Sequence, residues 1–198
     1  MHKESQKPDK RIRILEATLM LIAAQGFHNT PTSQIAETAG VGVGSIYRYF
    51  KDKDELIHEL FRYVITKEGQ SLLKDYNPAA PIRQQFMQLC TGMIQYAVEH
   101  PTEFTFIEQY FNSPYGLSLR REKMFGDGER DTDKPPLHRL FEAAKAQQIV
   151  KDLPLVVLGA LTFGPVIALL RDIHAGLFEY DAEIMRSVVE ACWDAIKR

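Results

Sequence analysis

The chain has 198 residues of which 45% are apolar, enough to bury a sizeable core in one large or two small domains, and this composition excludes a disordered chain. Its formal net charge of -2 gives no global basic signal, so a nucleic-acid partner would have to be met by a local patch. Cys90 and Cys192 stand far apart with no metal-type or C-x-x-C spacing, and the six histidines are scattered. This predicts idle thiols in a reducing cytoplasm, no metal site and no cofactor.

The first residues, MHKESQKPDKRIR, lack the apolar run of a secretion signal. Their basic cluster of Lys3, Lys7, Lys10, Arg11 and Arg13, set against Glu4 and Asp9, reads as a solvated tail or as a phosphate-contacting arm, with the arm favoured. From Asp9 onward Ile12, Leu15, Leu19 and Ile22 make one apolar stripe of a first helix, and Gly26 supplies a left-handed stop. Thr32 is the expected N-cap of a short second helix carrying Ile35, Ala36 and Ala39 and ended by Gly40; residues 45–50 form an equally short third. Asp52 followed by Glu55 is a variant capping box for a long fourth helix, with Leu56, Ile57, Leu60, Phe61 and Val64 on its apolar face, that reaches about to Asp75.

The first strong break is NPAAP at 77–81, and the domain boundary is placed inside the fourth helix near Lys67, giving domains 1–66 and 67–198. Pro81 opens a helix with Ile82, Phe86, Leu89, Cys90, Met93 and Ala97 on one face, closed by Pro101. An aromatic-rich helix at 102–112 follows, then a polar loop at 126–136, then helices near 137–150, 153–174 and 181–197. With no strand pattern, the fold class is all-α. Residues 153–170 hold 18 positions without a charge, the lower limit for a membrane span, but two glycines and two prolines interrupt them. They read instead as a helix buried on every side, and no membrane partner is expected.

The stretch AGVGVGSIYRYFKDKDEL, 39–56, places Gly40, Gly42 and Gly44 before a helix, the pattern of a general anion site. A dinucleotide fingerprint would need a third glycine where Ser45 stands and a strand where TSQIAETA stands, and a Walker loop would need Gly-Lys-Ser/Thr. The alternative is a helix-turn-helix. Gly40 makes the turn, Gly42 and Gly44 leave the start of the recognition helix bare for close approach, Ser45, Tyr47, Arg48 and Tyr49 supply donors, and Lys53 adds an ammonium.

The segment FHNTPTSQIAETAGVGVGSIYRYFKDKDEL resembles the DNA-binding signature of the tetracycline-repressor (TetR) family of bacterial regulators, through Phe27, Thr32, Ile35, Ala36, Ala39, Gly40, Val41, Gly44, Ile46, Tyr47, Tyr49, Phe50, Lys53 and Leu56. The resemblance covers about the first 65 residues; beyond them it is one of plan only. It implies a dimeric repressor released from DNA by a small effector; two-fold symmetry then predicts a palindromic operator, and the aromatic and soft residues named below predict a largely apolar effector. By the same resemblance Thr32, Tyr47, Tyr49 and Lys53 contact phosphates, Val43, Ser45 and Arg48 face base edges, and Ile35, Ala36, Val41, Ile46 and Phe50 form the three-helix core. Gly42 departs from the serine of many members, which removes one hydroxyl from the phosphate side. Tyr47 and Tyr49 also read as ordinary half-buried packing.

Helix 181–197 carries two apolar stripes, one of Ile184, Val188, Ala191 and Ala195, the other of Met185, Val189, Cys192 and Ile196, more than one core can use. With Val157 and Leu161 of the preceding apolar helix, the first stripe is the expected homodimer interface. Phe86, Met87, Cys90, Met93, Phe104, Ile107, Tyr110, Phe111, Phe141 and Phe163 are a surplus of aromatic and soft residues that reads as core or as the lining of an apolar effector pocket. No enzyme is expected: Glu103 and Glu108 near His100 are the best acid–base set, and they read as helix surface. A DNA-binding or protein-interaction factor of the same fold without an effector remains the alternative.

Overall fold

The computed structural model describes residues 9–74, 76–117 and 136–198. Lys3, Glu4 and Lys7, and positions 126–135 of the polar run, lie outside the described residues. Helix α1 spans Lys10–Gln25, α2 Thr32–Ala39, α3 Val43–Tyr49, α4 Lys53–Leu73, α5 Ile82–Glu99, α6 Pro101–Phe111, α7 Pro136–Ala146, α8 Leu155–His174 and α9 Ala182–Ile196. Among the described residues there is no strand, only an isolated bridge between Val150 and Lys197.

The helix ends follow local chemistry, with three departures from the sequence reading. Asp9 caps α1 by accepting from the Arg11 N–H, and Gly26 ends it at a φ of 78°, but with an extended ψ of 171° in place of the left-handed stop expected. Thr32 is not the N-cap of α2. Pro31, whose ring holds φ near −65° and which has an extended ψ of 150°, already sets the entry, so Thr32 becomes the first helical residue. The third helix starts earlier than Ser45, at Val43, because Gly42 takes the extended N-cap conformation; Phe50 leaves the helix as its C-cap. Before α4 the capping box forms one position wider than its usual version: Asp52 Oδ1 accepts from the Glu55 N–H at 2.8 Å, while the Glu55 carboxylate accepts from the N–H of Lys51.

The chain packs as two units. The first comprises the described parts of Met1–Lys67 and of Thr102–Leu119. Its core is Ile14, Leu15 and Ile22 of α1, Ile35 of α2, Ile46 of α3 with Phe50, and Leu56, Ile57 and Leu60 of α4, all essentially without solvent contact. Phe106 and Tyr110 of α6 enter the same core; the Tyr110 ring stacks on Phe61 at 4.0 Å and its hydroxyl meets His58 Nδ1 at 2.9 Å. A cut at 66/67 therefore does not describe the packing. Burying a large aromatic side chain contributes roughly 1.5–3 kcal/mol, and two aromatics of α6 find ring partners earlier in the chain, Phe106 on Phe27 and Tyr110 on Phe61.

The second unit comprises the described parts of Glu68–Pro101 and Arg120–Arg198. Phe86 of α5 is fully enclosed, with the rings of Trp193 at 5.2 Å and Phe141 at 6.4 Å. Leu158, Thr162, Val166 and Leu170, spaced four apart, form the buried stripe of α8, and the Thr162 hydroxyl is satisfied by the Leu158 carbonyl at 2.9 Å. This corrects the reading of 153–170 as a helix buried all round: one stripe is buried, and Val156, Val157 and Leu161 lie exposed. By length and apolarity α8 alone among the described helices is able to cross a membrane.

Candidate functional site

The first unit presents α3 as an outward-facing helix on a rigid base. Gly40, in the left-handed region at φ 62° and ψ 43°, closes α2 by donating to the Ala36 and Glu37 carbonyls, and Val41 N–H returns to Ala36 O at 2.9 Å. Ile46 and Phe50, four apart, are locked inside the core, so the intervening Tyr47, Arg48 and Tyr49 face solvent. Tyr47 is 53% and Tyr49 42% exposed, which removes the half-buried reading for both; the Tyr49 ring lies tilted against Phe50 at 6.4 Å. Val43 and Gly44 are exposed at the start of the helix, Ser45 is half-buried, and Thr32 is half-buried in the first turn of α2. Ile35, Ala36, Ile46 and Phe50 are buried, with Val41 half-buried against them, as the core assignment anticipates.

The glycines divide into two kinds. Gly40 needs its positive φ, whereas Gly42 and Gly44 have conformations open to any residue, and a Cβ at either would meet nothing within 4 Å. The protein's own packing thus makes no demand for glycine there.

Lys53 is placed differently from expectation. Its ammonium donates to the Phe27 carbonyl at 2.6 Å, and burial lowers its pKa from the ordinary lysine value. Lys51, two positions earlier, is exposed and has no side-chain partner among the described residues; its signal in the sequence is the Lys-Asp-Lys run itself. The basic arm is likewise reduced. Arg11 pairs with Glu59 at 2.5 Å and lies over the Phe50 ring, and Arg13 is half-buried with its Nε unpartnered, which leaves Lys10 as the exposed cation of the described part.

In the second unit a cavity of about 620 Å³ is lined by Ser71 and Leu72 of α4, by Lys74 and Tyr76, by Met87, Gln88, Thr91, Gly92, Gln95, Tyr96 and Glu99 of α5, and by Arg186 of α9. Of the ten aromatic and soft residues read as core or pocket lining, Met87 alone is among them. Phe86, Cys90 and Phe141 are closed core of this unit, and burial pushes the Cys90 thiol well above the ordinary range. Tyr110, Ile107 and Phe111 pack in the first unit's core, while Phe104, Met93 and Phe163 are half-buried. The reason is the helical period of α5: its apolar stripe at Phe86, Cys90 and Ile94 turns inward, and the polar stripe at Gln88, Thr91 and Gln95 borders the cavity. Glu103 is also not surface. It is buried and accepts from Lys67 Nζ at 2.5 Å, a structural ion pair.

A short helix, a glycine turn and a second helix that exposes hydroxyls and a guanidinium define a helix-turn-helix DNA-binding transcriptional regulator. Comparison with known proteins agrees. Residues 14–60 match the family described as bacterial regulatory proteins, tetR family, and residues 81–197 match the tetracyclin repressor-like, C-terminal domain. The chain belongs to the TetR family. It is 27% identical to an HTH-type transcriptional regulator of Haemophilus influenzae, over 97% of this chain and 98% of that one. Solved structures of TetR-family regulators from Marinobacter aquaeolei (TM-score 0.81, 25% identity, 96% of both chains) and Haemophilus influenzae (TM-score 0.79, 26% identity, 98% of this chain and all of that one) share the fold.

Proposed function

We propose that the protein is a cytoplasmic homodimeric repressor that reads a palindromic operator through α3 and is released by a small effector bound in the second unit. The observation that carries the reading is the division of α3: Ile46 and Phe50 anchor it, and Val43, Tyr47, Arg48 and Tyr49 project into solvent. Arg48, with Val43 and Ser45, is assigned to base edges, and Thr32, Tyr47 and Tyr49 to phosphates. Bare Gly42 and Gly44 give the backbone room for a phosphate. Lys51 supplies the ammonium that Lys53 spends on Phe27.

Dimerisation is assigned to the outer faces of α8 and α9. Met185, Val189, Cys192 and Ile196 fill the unit's own core, while Ile184, Ala191 and Ala195 with half-buried Val188 on α9, and Val157 and Leu161 on α8, remain as an apolar surface. Such a face fits a second copy, and two-fold symmetry then matches a palindrome.

The effector role rests on the cavity and on α4, whose first residue, Lys53, belongs to the first unit and whose last turn, Ser71 and Leu72, lines the cavity. A ligand weakens operator binding only by favouring the DNA-incompetent arrangement, and a coupling of about 1–3 kcal/mol corresponds to roughly 5–150-fold. The test is an operator titration in the presence of a panel of apolar, cationic and anionic compounds. One member of the panel is expected to weaken binding within that range; a panel without effect reduces the reading to a ligand-independent DNA-binding factor.

A further inference from the structure

The cavity that opens at the end of α4 holds two cations in excess of their partners. Among the described residues neither the Lys74 ammonium nor the Arg186 guanidinium has an ion pair or a side-chain hydrogen bond. Elsewhere in the same unit Arg83 lies 3.5 Å from Glu190 and Lys145 lies 3.0 Å from Asp152. Glu99 is the one carboxylate in the lining, and its Oε1 is already occupied by the Gln95 amide at 2.9 Å. Two cations against one engaged carboxylate leave the recess positive. Apolar contact is available beside them from Leu72 and Met87.

Gly92 links this recess to α4. A Cβ there would lie 2.9 Å from Leu72 Cδ2, so α5 meets the last turn of α4 at a point with no spare space. Anything seated against Leu72 therefore bears directly on the end of that helix.

We propose that the cavity binds a small organic anion, its carboxylate or phosphate held by Lys74 and Arg186 and its apolar body resting on Leu72 and Met87. A guanidinium suits this task because its fork of donors pairs with two oxygens of a carboxylate or phosphate at once. An apolar, neutral molecule of the same shape leaves both cations unused. This inference names the ligand class for the effector reading above and rests on that reading for its regulatory meaning.

The experiment is calorimetric titration of the full chain with three probes of one shape: naphthalene carboxylate, naphthyl phosphate and naphthalene carboxamide. Lys74→Gln and Arg186→Gln change exposed side chains and leave the core alone. Both anions are expected to bind, the amide at least about tenfold more weakly, and each variant to weaken the anions about tenfold without changing the amide. Whichever anion binds more tightly identifies the head group. The inference is overturned if the wild type binds neither anion, if the amide binds as well as the anions, or if the double variant keeps wild-type affinity. Operator affinity measured with the same probes separates the two claims: charge-dependent binding with unchanged operator affinity keeps the anion site and overturns release, while release by a neutral compound keeps the effector reading and counts against the anion site.

Discussion

The Lys53 ammonium donates to the carbonyl of Phe27 at 2.6 Å, so the first turn of α4 is tied to the segment between α1 and α2. A lysine that resembles a phosphate ligand in sequence is a brace in the structure. The two roles separate by salt dependence, since each phosphate contact adds about 0.9 to the slope of log affinity against log salt. Lys51→Ala is expected to flatten that slope by about one unit per protomer, about two for the dimer, with stability unchanged. Lys53→Ala is expected to leave the slope nearly unchanged and to cost about 1–2 kcal/mol of stability through loss of a charge-assisted hydrogen bond. Filter-binding titrations and urea melts of the two variants decide the matter.

Arg48 has its side chain in solvent on the outer face of α3, away from Ile46 and Phe50. Arg48→Ala is therefore expected to keep the melting temperature of the wild type and to lose about 1–3 kcal/mol of specific DNA binding, with relaxed preference at one base pair of each half-site. A footprint series on single-base variants of the operator reads both effects. Equal loss on every sequence would move Arg48 from base edge to phosphate.

Tyr115 donates its hydroxyl to Asp54 Oδ1 at 2.8 Å. Burial first, and then the hydrogen bond to and charge of Asp54, hold its pKa up at about 12 against an ordinary 10.0. The folded state therefore keeps this proton where the unfolded chain releases it. The stabilisation is complete below pH 10.0 and is lost as the pH rises through about 12. Tyr115→Phe is expected to cost about 1 kcal/mol near neutrality and to reduce the alkaline fall in stability by at most one proton per chain. Denaturant melts between neutrality and strong alkali measure that slope.

Ile184, 45% exposed on α9, lies on the stripe left over after Met185, Val189, Cys192 and Ile196 have filled the core. Ile184→Glu is expected to give a folded monomer by sedimentation velocity at micromolar concentration, with operator affinity lowered because the two reading helices are no longer joined. A dimer of undiminished affinity would place the subunit contact elsewhere.

The reading head was legible because its signals are local. Gly40 must adopt a positive φ, Ile46 and Phe50 follow the helical period, and Asp52 caps the next helix, all within reach of a few neighbouring residues. The double stripe of α9 was legible for the same reason. What failed was set by distant partners. Lys53 gives its ammonium to the Phe27 carbonyl, and Glu103 leaves the surface for Lys67, neither of them a neighbour in sequence. Of the apolar surplus Met87 borders the cavity, whereas Phe86, Cys90 and Phe141 are needed for the core and the polar side of α5 supplies much of the lining. The entry of α6 into the first unit depends on Phe61 meeting Tyr110, a pairing that no spacing rule encodes.

Selecting duplexes from a random library with the wild-type protein and with Arg48→Ala decides whether α3 reads DNA sequence in a symmetric dimer. The wild type is expected to enrich one two-fold symmetric motif, with half-site centres one helical turn apart, about 34–36 Å, or a multiple of it, and the variant, while staying folded, to enrich it more weakly and without preference at one base pair of each half-site. A folded, dimeric wild type that enriches no sequence, or a variant that enriches the same motif equally well, would contradict sequence reading by α3.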